Sequence, residues 1–261
     1  MKKHFSWISC TLMLLSLVLV SWKPQNGHKN LNFLNTGMSS TELLEKYIEN
    51  IYQSAHLQES GLDFIVFKRG VTGFINLKIA KNLPKNTSIL TIVDFSKSSS
   101  EKRMWIVDLL EKNLILNTWV AHGQGSGEVY ATHFSDRTES HASSLGFYIT
   151  DDVYYGKNGR SLRLDGMDHG FNSNARSRAI VIHAADYVSP GTIGQLGYLG
   201  RSFGCPAVAP EVADMVINTL KEKTVIFISA NDYKYNSRYL DEDIAANFVS
   251  QEITGTTMAN L

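Results

Sequence analysis

The chain is poor in cysteine and proline and carries no net charge. Two cysteines, Cys10 and Cys205, cannot build the multiply bridged framework of a small secreted domain. Five prolines in 261 residues exclude a proline-rich stalk or linker array. Twenty-five basic side chains balance 25 acidic ones, so no field of one sign draws the chain to nucleic acid or to an anionic membrane surface. Heptads, internal repeats and low-complexity tracts are lacking as well.

What is there begins at the N-terminus. Lys2, Lys3 and His4 precede an apolar stretch from Phe5 to Val20, and a polar segment from Lys23 to Asn30 follows. A spanning helix needs about 20 apolar residues and a signal h-region about 7–15, and this run falls between them. Residues 1–22 therefore read as an export signal or an N-terminal anchor. No small-x-small cleavage site stands out, and Cys10 has most of the apolar run after it, which argues against a lipoprotein cysteine. The expected location is the periplasm or cell envelope, with anchoring to the inner membrane if residues 5–20 persist. Export leaves Cys205 as the lone thiol, and a lone thiol in an oxidising compartment is either buried or used.

About 235 residues remain after the signal, enough for one large domain. Thr41 is placed to cap a helix in which Leu44, Tyr47, Ile48, Ile51, Tyr52 and Ala55 form one apolar stripe, ending before Gly61. From Asp63 onward the pattern changes to short β-rich runs broken by Gly, Asn, Asp and Ser. Strands are predicted near Ile65–Phe67, Ser88–Phe95, Met104–Leu110, Leu114–Val120, Gly146–Thr150, Ser161–Leu164, Ala179–His183 and Thr224–Ser229, with a hairpin turn at Leu110–Asn113. Pro210 opens one helix reaching Lys221, with Val212, Met215, Val216 and Leu220 inward. The result is a mainly antiparallel β domain, α+β in class. Its expected divisions are a signal or anchor at 1–22, a linker and helical region packing on the core at 23–87, the β-rich domain with the chemistry at 88–235, and a C-terminal tail at 236–261.

The chemistry centres on Cys205. Gly204 before it and Pro206 after it place the thiol on a tight loop. A free thiol with a pKa of about 8.5 is only a few per cent thiolate at pH 7, so a nearby imidazole is needed to take its proton. His183 ends the apolar run Ala179–Ile182, and the glycine-rich segment Asp186–Arg201 can fold back to bring the two together. By itself the pair is a weak signal, since a lone cysteine is usually a small buried hydrophobe and a lone histidine a hydrogen-bonded structural one. Arg201, and less so Arg176 and Arg178, are candidates to hold a substrate carboxylate by bidentate pairing. Gly123-Gln124-Gly125-Ser126-Gly127 is followed by Glu128 and no helix pattern, so a mobile turn is expected rather than a phosphate loop. His122, His133, His141 and His169 lack metal-ligand spacing and read as solvated, with His122 and His169 as candidates to line the cleft. Asp165 and Asp168 read as turn residues. No metal or organic cofactor is called for.

The segment Ile182-His183-Ala184-Ala185…Ser202-Phe203-Gly204-Cys205 resembles the active-site motif of the L,D-transpeptidases. That motif is an Ile/Val-His-Gly/Ser segment, a loop, then Ser-His-Gly-Cys. His122-Gly123, and Ser143-Ser144-Leu145-Gly146-Phe147-Tyr148, sit where that family carries a strand-end glycine and a Thr-Pro-x-Gly-x-Phe stretch. The resemblance covers roughly residues 89–231 and is most specific at the cysteine. It implies a β-sandwich-like catalytic domain, with Cys205 as nucleophile and His183 as base. It also implies an Ala184 carbonyl that orients the imidazole, backbone N–H groups near Gly204 and Cys205 as the oxyanion hole, and Ser202 as part of the catalytic motif. Phe203 and Gly146 carry over as substrate-binding positions beside Arg201. Two departures stand out: Phe203 replaces the usual second histidine, and Pro206-Ala207 replaces basic or polar residues.

The expected function is an exported cysteine acyltransferase acting on peptidoglycan stem peptides through a thioester on Cys205. Resolution by an amine makes it an L,D-transpeptidase, and resolution by water an L,D-carboxypeptidase. The reading from another class is a weakly active or inactive wall-binding protein that keeps the fold; Phe203 favours it, and the joint presence of Cys205 and His183 opposes it.

Overall fold

The computed structural model describes residues 37–80 and 82–258; the predicted signal or anchor and Cys10 lie outside them. Among the described residues no helix is long and apolar enough to cross a membrane.

Helix α1 spans Ser40–Ser54 and turns Leu43, Leu44, Ile48 and Ile51 inward. Its N-cap is Ser39, not Thr41: the Ser39 side chain accepts from the Glu42 N–H, and the Glu42 carboxylate accepts from the Ser39 N–H in a capping box. Helix α2 spans Phe64–Ile79 and corrects the strand predicted at Ile65–Phe67. Asp63 caps it by accepting from the Ile65 and Val66 N–H groups. Its β-branched and aromatic residues mimic a strand because the helix is buried almost all round from Phe67 to Leu77 and shows no clean polar face. Gly73 admits it to the sheet, since a Cβ there would overlap the Phe147 ring.

The strands are β1 (Ile89–Asp94), β2 (Met104–Asp108), β3 (Asn113–Thr118), β4 (Gly146–Gly156), β5 (Gly159–Gly166), β6 (Val181–Ala184), β7 (Ala207–Val208) and β8 (Val225–Ser229). They form one mixed sheet in the order β3-β2-β1-β8-β4-β5-β6-β7. The fold is α+β and rich in β structure. Most pairings are antiparallel, but β1 lies parallel to β8 and β6 parallel to β7. The last strand in sequence is thus a central one, buried at every position from Val225 to Ser229.

Three helices follow β6, two more than the single late one predicted. Helix α3 (Pro190–Leu196) is a short element in the connection from β6 to β7, capped by Ser189. Helix α4 (Pro210–Leu220) follows β7 with Ala213, Val216, Ile217 and Leu220 inward. Helix α5 (Glu242–Met258) packs on α1 and α2, so the segment read as a tail belongs to the domain. Asn76 of α2 donates to the carbonyls of Tyr239 (2.8 Å) and Asp241 (2.7 Å), fixing the approach to α5.

Candidate active site

Cys205 sits on a turn just ahead of β7. His183 pairs with Ala207 and Ala184 with Val208, so the parallel register carries Cys205 back alongside Val181. The segment leading into β6 cradles the sulfur. The Cys205 thiol donates to the Ala179 carbonyl at 3.7 Å, and the Val181 N–H donates to the sulfur. Ala179 is itself in the left-handed region (φ 55°). The thiol is free and half-buried. Burial raises its pKa, opposed in turn by the Val181 N–H and the charges of Arg178 and Lys157.

The His183 ring is buried, and its Nδ1 lies 2.8 Å from the Ala184 carbonyl oxygen. A carbonyl can only accept, so Nδ1 carries the proton and Nε2 is the basic nitrogen. Burial lowers the His183 pKa below the ordinary histidine value, and the Ala184 contact works against this. Together the two shifts favour a neutral thiol and a neutral imidazole over a preformed ion pair. Among the described residues no hydrogen bond joins the two side chains.

Glycine and serine build the turn. Gly204 has φ 120°, a region that side chains rarely adopt. Its N–H donates to Ser202 Oγ at 3.1 Å and its carbonyl accepts from Ser143 Oγ at 3.1 Å, so the Gly204 N–H is already engaged. Ser202 Oγ in turn donates to the Cys205 carbonyl at 2.6 Å. The Gly123 N–H donates to Ser143 Oγ, and the Ser143 N–H donates to Ser126 Oγ. The segment 123–127 is therefore pinned under the turn, with Ser126 fully buried, rather than mobile.

Several predicted roles move elsewhere. His122 is not solvated: it is buried, Arg103 donates to its Nδ1 at 2.8 Å, and its Nε2 donates to the Gly127 carbonyl at 3.2 Å. Burial first, then the neighbouring Arg103 charge, pushes its pKa down to about 4. Both of its nitrogens are committed, so it neither lines a cleft nor serves as a spare base. His169 is exposed on a turn. Arg176 is held by Asp165 and Asp151, and Arg178 is buried, so neither guanidinium is open to a substrate carboxylate. Gly146 is buried, and a Cβ there would collide with Asp168 and Asn172, so its smallness serves the interior rather than a cleft. Asp168 is no simple turn residue: it accepts from the Phe147 N–H, the Tyr235 hydroxyl and Ser237 Oγ.

Arg201 and Phe203 stay beside the turn. Arg201 donates to the Gly127 carbonyl at 3.1 Å and lies over the Tyr198 ring. Phe203 is 61% exposed and stacks on His141 with ring centroids 4.5 Å apart. Sequence reasoning missed Tyr187, whose hydroxyl is raised to about 12 by burial and then by the negative charge of a Cys205 thiolate nearby. It also missed the cradle from Arg178 to Val181; the one signal was the arginine just ahead of the apolar run.

A family model described as L,D-transpeptidase catalytic domain matches residues 58–229, from the α1–α2 connection to the end of β8. Among solved structures, an L,D-transpeptidase from Mycobacterium smegmatis is 12% identical, with 55% of this chain and 59% of that one covered and a TM-score of 0.34. The helical cell shape determining protein of Campylobacter jejuni is 11% identical, with 71% and 65% covered and a TM-score of 0.38. The chain thus spans about three fifths of the length of the first of these. No curated protein matches it.

Proposed function

The chain belongs to the L,D-transpeptidase catalytic-domain family, which acts on peptidoglycan stem peptides, and from that premise we propose an exported cysteine acyltransferase with Cys205 as nucleophile. The observation that carries this reading is the free, half-buried thiol on a glycine turn, set against the strand that holds the carbonyl-oriented His183.

The sulfur attacks the carbonyl of an L-centre residue in the donor stem while His183 Nε2 takes the thiol proton. With both groups neutral at rest, proton transfer accompanies attack instead of preceding it. The Gly204 N–H is bound to Ser202, so the Cys205 N–H is the donor left to stabilise the oxyanion. The tetrahedral intermediate collapses by breaking the C–N bond, and the imidazolium returns its proton to the departing amine. A thioester remains on Cys205, resolved by an amine of a second stem or by water. Arg201 and Phe203 flank the turn on its exposed side and are the proposed substrate contacts; Ser202 and Gly204 shape the turn itself.

The competing reading, a wall-binding protein that keeps the fold, draws on the exposed Phe203–His141 stack, which offers an aromatic surface without any chemistry. Intact mass after exposure to a carbapenem separates the two. One covalent adduct mapping to Cys205 is the expected result; folded protein with no adduct favours the binder.

A further inference from the structure

We propose that Arg178 is a positioning residue for Cys205: its guanidinium ties the 135–144 loop against Gly204 and so holds the turn that carries the thiol.

The Arg178 side chain is 4% exposed. Its Nη1 donates to the Ser135 carbonyl (2.7 Å) and to Ser144 Oγ (2.5 Å); its Nη2 donates to the Ala142 carbonyl (2.7 Å) and to Ser140 Oγ (3.1 Å). All four acceptors are neutral oxygens of a single loop. The nearest carboxylate, the buried Asp136, pairs with the guanidinium at the longer distance of 3.9 Å and also accepts from the Asn174 N–H and Ser173 Oγ. A buried charge whose close contacts are four neutral oxygens, with its carboxylate partner only at 3.9 Å, is costly unless its geometry serves something. What it serves is visible at Gly204: a Cβ there would lie 2.9 Å from the Ala142 carbonyl and 3.2 Å from Arg178 Nη2. The loop and the guanidinium together form the wall behind the Gly204–Cys205 peptide. The same stretch of chain completes the cradle, because Ala179 and Val181, one and three residues on, contact the sulfur.

Two consequences follow from one side chain. The planar fork spans four acceptors that a lysine ammonium, with three donors on a flexible stem, cannot hold in one geometry. The Arg178 charge also favours the thiolate, together with Lys157; Asp136 beside Arg178, His141 on the Phe203 ring, Arg201, Tyr187 and His183 are the other charged or titratable groups about the turn.

The proposal rests on the reading of Cys205 as the nucleophile, but its test does not need acyl transfer. Alkylation of Cys205 by iodoacetamide, a neutral reagent, is followed against pH with a melting curve for each protein. Arg178→Gln is expected to move the alkylation midpoint up and slow alkylation at pH 7 severalfold. Arg178→Lys, which keeps the charge and loses the fork, is expected to fall between this variant and the parent. A merely structural arginine would lower the melting temperature and leave the midpoint in place, and that result overturns the proposal. If Arg178→Gln does not fold, Arg178→Lys decides: rate and midpoint equal to the parent's overturn it. A missing carbapenem adduct on the unaltered protein counts against the acyltransferase reading alone.

Discussion

Gly123 and Gly204 meet backbone to backbone: a Cβ on Gly123 would lie 2.7 Å from the Gly204 Cα and 2.4 Å from the His141 carbonyl oxygen. The parallel bridge between Gly123 and Ser202 locks this approach. Gly123→Ala must therefore push the cysteine turn outward. Carbapenem acylation is expected to fall at least tenfold, with a destabilisation of about 1–3 kcal/mol, the usual cost of forcing extra volume into a packed site. Acylation kinetics and urea denaturation of the variant check both halves.

Cys205→Ala removes one half-buried sulfur whose polar contacts are a weak thiol donation and a backbone N–H. Adduct formation should vanish while the melting temperature stays within a few degrees of the parent's. A loss of about 2–5 kcal/mol, the range for a truncation in a close-packed core, would mark the cysteine as structural instead.

His183→Asn should lower the acylation rate by roughly 10²–10⁴, the size of a lost general base. The acidic limb of the parent's rate profile should lie below the ordinary histidine pKa, since burial disfavours the imidazolium. Rates from pH 4 to 8 test the position of that limb and its disappearance in the variant. His122, with both nitrogens engaged, cannot substitute.

His122 makes stability fall in acid. Its folded pKa of about 4 lies below the unfolded value of 6.5, so the unfolded chain binds the extra proton. The stabilisation is complete above pH 6.5 and is lost as pH drops toward 4, about 3 kcal/mol in all. His122→Gln keeps an acceptor for Arg103 and cannot charge. Urea midpoints at pH 7 and pH 4.5 should drop further for the parent than for this variant.

Local patterns were legible in the sequence where they alternate or repeat. The stripe of α1, the Pro210 start of α4 and most strands follow from spacing alone. The same rules misread α2, because a helix with no solvent face has no amphipathic period to detect. The lone thiol on a glycine turn stood out in the sequence, whereas the cradle behind it did not. Arg103, His122, Arg178 and Asp168 are residue types usually found in water, and each is buried here by partners that only the folded chain supplies. Nothing in a linear pattern pairs Arg178 with four oxygens of a loop some 40 residues earlier.

The placement of β8 sets the order in which the protein can be made. Leu90 and Val225 are neighbours across the middle of the sheet, yet almost the whole sheet lies between them in sequence. Until β8 arrives, the β1–β3 meander and the β4–β7 half each present an unpaired inner edge, the kind that seeks strands on other molecules. Closing so long a loop is a slow, non-local event, so the newly made chain should linger in an open state with both inner edges exposed.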